Sequence, residues 1–84
     1  MLVSANSRST VTEEGIVIMD VSNGNIFHSN SIGALIWTSL KEGASVQGIV
    51  ELITSRYSVS RKEAEADVFA YIRALTSKGL LLEE

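Results

Sequence analysis

The sequence predicts an α+β fold: a three-stranded antiparallel sheet followed by three helices, in a winged helix-turn-helix-like order. Three observations predict it. Short β-rich runs precede Asn30, and apolar residues recur at threes and fours after it. Turn signals containing glycine, Glu14-Gly15 and Asn23-Gly24, divide the first part into strand-sized pieces. Capping residues stand ahead of each of three helical patterns in the second part. The winged-helix likeness concerns fold and says nothing by itself about function.

The first strand is expected within residues 7–12, and Glu14-Gly15 turns the chain into the second, Ile16-Val17-Ile18-Met19-Asp20. Val21-Ser22-Asn23-Gly24 has turn chemistry, because asparagine and glycine tolerate the positive φ of a tight hairpin. Asn25-Ile26-Phe27-His28 resumes the extended pattern. Asn30 or Ser31 then caps a helix with Ile32, Leu35, Ile36 and Leu40 on its inner side, ended by Gly43. Ser45 caps a second, with Val46, Ile49, Leu52, Ile53 and Tyr57 inward. Ser60-Arg61-Lys62-Glu63 reads as a capping box opening the third, with Val59 as a staple against Ala64. That helix runs to about Lys78, and Gly79 stops it before the apolar tail Leu80-Leu81-Leu82. The expected core is Ile36, Leu40, Leu52, Ile53, Val68, Ile72 and Leu75.

The 84 residues make one domain, 1–84, and 45% hydrophobic residues suffice for a packed core. With no cysteine, neither a disulfide framework nor a thiolate metal site is available. A formal net charge of −3 without a basic block argues against nucleic acid or an anionic membrane as partner. The start, Met1-Leu2-Val3-Ser4-Ala5-Asn6, has no signal-peptide pattern, and no apolar run is long enough to span a membrane. A cytoplasmic protein is expected.

Catalytic patterns are missing. His28 is the only histidine, so a zinc site cannot be completed, and on a strand it reads as a surface residue. Glu13-Glu14 and Glu83-Glu84 fall at a turn and a terminus, where solvation explains them. Glu63 and Glu65 complement the third helix dipole. No phosphate loop, dinucleotide fingerprint or nucleophile elbow occurs. The third helix balances three acids against three bases, which gives phosphates no attractive field. The chain is expected to be non-catalytic, with no cofactor and no metal.

Two features suit peptide binding. On the third helix, Ala66, Ala70 and Ala74 form a small, uncharged row beside the core stripe of Ala64, Val68, Ile72, Leu75 and Gly79. Asp67 and Tyr71 lie between row and core on one flank, and Phe69 and Arg73 lie on the other. Alanine is also the best helix former, so the row serves equally as plain exposed helix. The third strand has no charge or proline guarding its edge, leaving its backbone a template for an added strand.

The run Gly24-Asn25-Ile26-Phe27-His28-Ser29-Asn30-Ser31-Ile32-Gly33-Ala34-Leu35-Ile36-Trp37 resembles the strand-to-helix passage of PqqD-like proteins. Leu40-Lys41-Glu42-Gly43-Ala44-Ser45, Ile49-Val50, Tyr57, Asp67-Val68, Leu75 and Gly79-Leu80-Leu81 continue the resemblance, which covers nearly the whole chain. It implies a RiPP recognition element, which binds the leader of a ribosomally made precursor by strand addition to the third strand and packing on the third helix. The stand-alone length, Trp37 and the spacing from Tyr57 to Val68 look most like the lasso-peptide version. That version works with a separate leader peptidase and an ATP-dependent cyclase. One departure is Ser29, where the family usually has leucine.

The peptide-binding residues expected on this basis are Asn25, Ile26, Phe27, His28 and Ser29 from the strand and Asp67, Ala70, Tyr71 and Ala74 from the helix. Phe69 and Arg73 are the alternative wall, since the sequence leaves open which flank faces the sheet. The precursor leader is the expected partner, and the protein itself a monomer or weak dimer. Alternative readings are a peptide carrier for a radical SAM enzyme, a winged-helix DNA binder, and an adaptor that docks through Leu80, Leu81 and Leu82.

Overall fold

Turn chemistry fixes the sheet first. The computed structural model describes residues 2–82; Met1 and the predicted solvated pair Glu83 and Glu84 lie outside them. Within these, β1 (Leu2–Val3) is followed by β2 (Ser7–Val11), β3 (Gly15–Asp20) and β4 (Ile26–Asn30). The β2–β3 hairpin closes with paired backbone hydrogen bonds between Thr12 and Gly15 (2.8 and 3.3 Å), leaving Glu13 and Glu14 at its tip. The β3–β4 turn is longer than the tight Asn23-Gly24 hairpin the sequence suggests. The Asp20 N–H donates to the Asn25 carbonyl (2.8 Å), so residues 21–24 form the loop and Asn25 precedes the strand. Gly24, at φ 77°, supplies the left-handed position.

Asp20 organises this turn. Its carboxylate accepts from the Ser22 hydroxyl (2.7 Å) and N–H (3.0 Å). The Ser22 hydroxyl chiefly, with further help from backbone N–H groups, holds the Asp20 carboxyl below its ordinary range. This contribution is complete above the unfolded value of about 3.9 and is lost as pH falls through the lowered one.

The helices follow in order: α1 (Ser31–Lys41), α2 (Val46–Arg56) and α3 (Arg61–Ser77). Each has a side-chain cap three residues before the N–H it accepts from: Asn30 from Gly33, Ser45 from Gly48 and Ser60 from Glu63 (3.0, 3.1 and 3.1 Å). Of the two candidates for the first cap, Asn30 is the one used. Gly43 and Gly79 adopt positive φ just past α1 and α3, as the stop signals require.

Strand order in the main sheet is β2-β3-β4, antiparallel throughout, with Ile18 opposite Phe27 and Ile16 opposite Ser29. The α+β architecture expected from the sequence is present. A second, two-stranded sheet, which no pattern in the sequence marks, pairs β1 with β5 (Leu81–Leu82). Leu80 and Leu81 are buried there, leaving Leu82 alone exposed, so the tail is a core element and not an adaptor surface.

The core gathers Ile16 and Ile18 from β3, Ile36, Trp37 and Leu40 from α1, Ile49, Val50 and Ile53 from α2, and Ala64, Val68 and Leu75 from α3. Two expected core residues, Leu52 and Ile72, are only half-buried. Ile49 and Ile53 are buried as expected, and the inner stripe of α2 leans toward its Val50 side, so Val50 takes the place given to Leu52. No helix among the described residues is long and apolar enough to cross a membrane.

Candidate functional site

Because β3 is central, β4 has, among the described residues, a hydrogen-bonding partner on one side only and forms an edge of the sheet. Alternation along it divides the predicted residues. Phe27 and Ser29 are half-buried toward the helices, whereas Ile26 and His28 are exposed on the opposite face. Ile26 and His28 therefore offer backbone to an added strand while their side chains point away from α3. Asn25 is exposed at the end of the turn.

Opposite the helical side of β4 stands α3, and one residue bridges the two. The Tyr71 ring meets Phe27 edge-on, with centroids 6.2 Å apart and planes at 77°. The Ser29 hydroxyl donates to the Tyr71 hydroxyl, which in turn donates to Asn30 Oδ1 (3.1 Å). Asn30 Oδ1 also accepts the Gly33 N–H that caps α1. Gly33 is buried because the chain has no space there: a Cβ would lie 2.6 Å from Ser29 Cβ and 2.8 Å from Tyr71 Cε1. Four residues thus tie the end of β4, the start of α1 and the middle of α3 into one cluster.

This cluster decides which flank of α3 faces the sheet. Asp67 and Ala74 lie four residues before and three after Tyr71, so they share its flank, and both are half-buried. Ala70 lies further round and is exposed. Phe69 and Arg73 are on the far flank, beside an open cavity of about 420 Å³ that Ile72, Thr76 and Ser77 also line. Of the helix residues expected from sequence, Asp67, Tyr71 and Ala74 fall on the sheet side and Ala70 beside them at the exposed margin, whereas Phe69 and Arg73 fall away from the sheet.

In the sequence, Asn30 is legible only as a cap and Gly33 only within the family resemblance. Their place in the site depends on Tyr71, more than 35 residues away along the chain, and no local pattern signals that link. Trp37, which carried part of the resemblance, is 1% exposed and belongs to the core, not to the groove. Among the described residues no group of three or more histidine, cysteine, aspartate or glutamate side chains is placed to hold a metal ion.

Residues 15–81 match the family described as Coenzyme PQQ synthesis protein D (PqqD). No curated protein matches the chain. Two solved structures are closely similar. One is TbiB1 in complex with the TbiA(beta) leader peptide, at 32% identity and a TM-score of 0.90, over 100% of this chain and 98% of that one. The other is a lasso peptide synthetase B1 complexed with the leader peptide, at 29% identity and a TM-score of 0.88, over 98% and 96%. Shared order of strands and helices, the span of the family match and the identity to TbiB1 agree: the chain belongs to the PqqD family and is a PqqD-like RiPP recognition element.

Proposed function

We propose that this protein binds the leader segment of a ribosomally synthesised precursor of the lasso-peptide class and delivers it to a separate leader peptidase and an ATP-dependent cyclase. The observation that carries the reading is the unpaired β4 edge facing α3 across Tyr71, in a fold whose two close structural neighbours hold leader peptides. An added strand would take up the free backbone groups of Ile26 and His28, while Phe27 and Ser29, whose own backbone groups pair with β3, turn their side chains toward it and Asn25 stands at its margin. Its inward side chains would lie between Phe27 and Ser29 on one side and Asp67, Ala70, Tyr71 and Ala74 on the other. Main-chain hydrogen bonds supply affinity in this mode, and the alternate side chains supply specificity.

The protein does no chemistry of its own in this reading. It acts in the cytoplasm by raising the local concentration of precursor at its partners' active sites, which strengthens weak encounters without any new contact. Without a leader, the same edge is free to pair weakly with a second copy. A second reading, which the family resemblance implies, is a peptide carrier for a radical SAM enzyme. Both readings use the same groove.

The test is a fluorescence anisotropy titration of labelled TbiA(beta) leader, with a scrambled leader and duplex DNA as controls. Saturable binding to the leader alone, weakened more than about tenfold by Ala74→Trp in a variant with unchanged thermal unfolding, supports the groove. Normal affinity in that folded variant removes α3 from the site. Binding to duplex DNA alone overturns the proposal in favour of a winged-helix DNA binder.

A further inference from the structure

The groove between β4 and α3 differs in chemistry at its two ends. At the Ile26 end the inward surface is aromatic, made by Phe27 and the edge of Tyr71. At the Asn30 end it is polar. There the Ser29 hydroxyl, the Tyr71 hydroxyl and the Asn30 amide form a connected set, where the family resemblance implies leucine in place of Ser29.

Counting donors and acceptors shows what this set can still do. The Ser29 and Tyr71 protons and the Gly33 N–H are all committed inside the cluster. The Ser29 oxygen keeps acceptor capacity, and the Asn30 Nδ2 group keeps its donors. The cavity of about 320 Å³ at this end of β4, lined by Thr12, Glu14, Ile16, His28, Ser29 and Asn30, includes no α3 residue and lies on the His28 side, outside the groove. Within the groove, an apolar side chain seated against Ser29 and Tyr71 would strip water from Ser29 and Asn30 without replacing their hydrogen bonds, which disfavours it. A side chain with both a donor and an acceptor meets no such loss.

We propose that Ser29, Tyr71 and Asn30 form a polar subsite that selects a hydrogen-bonding leader side chain, an amide or a hydroxyl. It lies two residues along the added strand from an apolar side chain seated against Phe27. The spacing follows from the pleat, since Phe27 and Ser29 are themselves two residues apart on the same face. The inference rests on the leader-binding reading and adds a rule of sequence choice to it.

The experiment replaces each residue of the labelled TbiA(beta) leader in turn by leucine and by glutamine, and measures affinity for the wild-type chain, Ser29→Ala and Tyr71→Phe. Both variants remove a hydroxyl without adding bulk beside Gly33. For the wild type, one leader position is expected to favour glutamine over leucine by about fivefold, the worth of one net hydrogen bond. In each variant that ratio is expected to fall below about twofold. A position-independent loss of affinity in the variants would mean that the cluster is only structural and would overturn the subsite while leaving leader binding intact. Failure of the wild type to bind any leader of the set would overturn both.

Discussion

The two flanks of α3 carry matching residue types and end in different environments. One has Asp67 and Tyr71, the other Phe69 and Arg73, each an aromatic and a charge one turn apart. Tyr71 is half-buried, edge-on to Phe27 and hydrogen-bonded with Ser29 and Asn30. Phe69 is 53% exposed beside an open cavity. Nothing within the helix makes this difference. It comes from β4 and α1, where Asn30 must cap a helix and Gly33 lets that helix settle against Ser29. A hydroxyl at position 71 finds partners there, and the far flank has no equivalent. Helical period locates a buried face, whereas the choice between its two flanks is made by the polar ends of neighbouring elements.

The largest effect is expected from Leu75→Ala, which breaks the buried row that holds both flanks. Leu75 is 1% exposed, so its truncation should cost about 2–5 kcal/mol, a large share of the stability of a domain this small. Urea unfolding measures it, and a loss below about 1 kcal/mol would mean that α3 is held by something other than this row. Gly33→Ala should disturb the Tyr71 flank alone. Overpacking against Ser29 and Tyr71 opposes the better helix propensity of alanine, for a net loss of about 1 kcal/mol. A gain would show that the cluster yields freely. Tyr71→Phe keeps the ring against Phe27 and loses the hydroxyl, for a cost in urea of about 0.5–1.5 kcal/mol. An unchanged midpoint would mean that the hydrogen bonds to Ser29 and Asn30 contribute nothing net.

Much of this contrast was legible in the sequence, and the reasons for the remainder are physical. The caps Asn30, Ser45 and Ser60 and the stops Gly43 and Gly79 are local devices, decided within one helical turn, so residue type and spacing reveal them. Pairing of β1 with β5 joins residues about eighty positions apart through two-residue strands, too short to show any period. Leu80 and Leu81 therefore read as a loose tail, although both are buried. Alternation along β4 was visible, but assigning Phe27 and Ser29 to the helical side requires knowing where the helices lie. In α2, exchanging Leu52 for Val50 is a small rotation of the stripe, within the tolerance of any apolar pattern. Ser29 stood out as a departure from its family, and only its contact with Tyr71 explains what the departure accomplishes.

The smallest effect is expected on the far flank, and it is the sharpest test of the comparison. Phe69→Ala and Arg73→Ala should each change stability by no more than about 0.5 kcal/mol, because both side chains lie at the surface, outside the buried row. Their effect on leader affinity should stay within about twofold, since neither lies on the flank that Tyr71 turns toward β4. Anisotropy titration of the TbiA(beta) leader against both variants, beside Ala74→Trp, separates the two flanks directly. A tenfold loss from Phe69→Ala, with Ala74→Trp silent, would move the binding surface to the cavity shared by Phe69 and Arg73. The β4 edge would then need another occupant, and the bond between Tyr71 and Ser29 would be a brace for the fold, not the wall of a site.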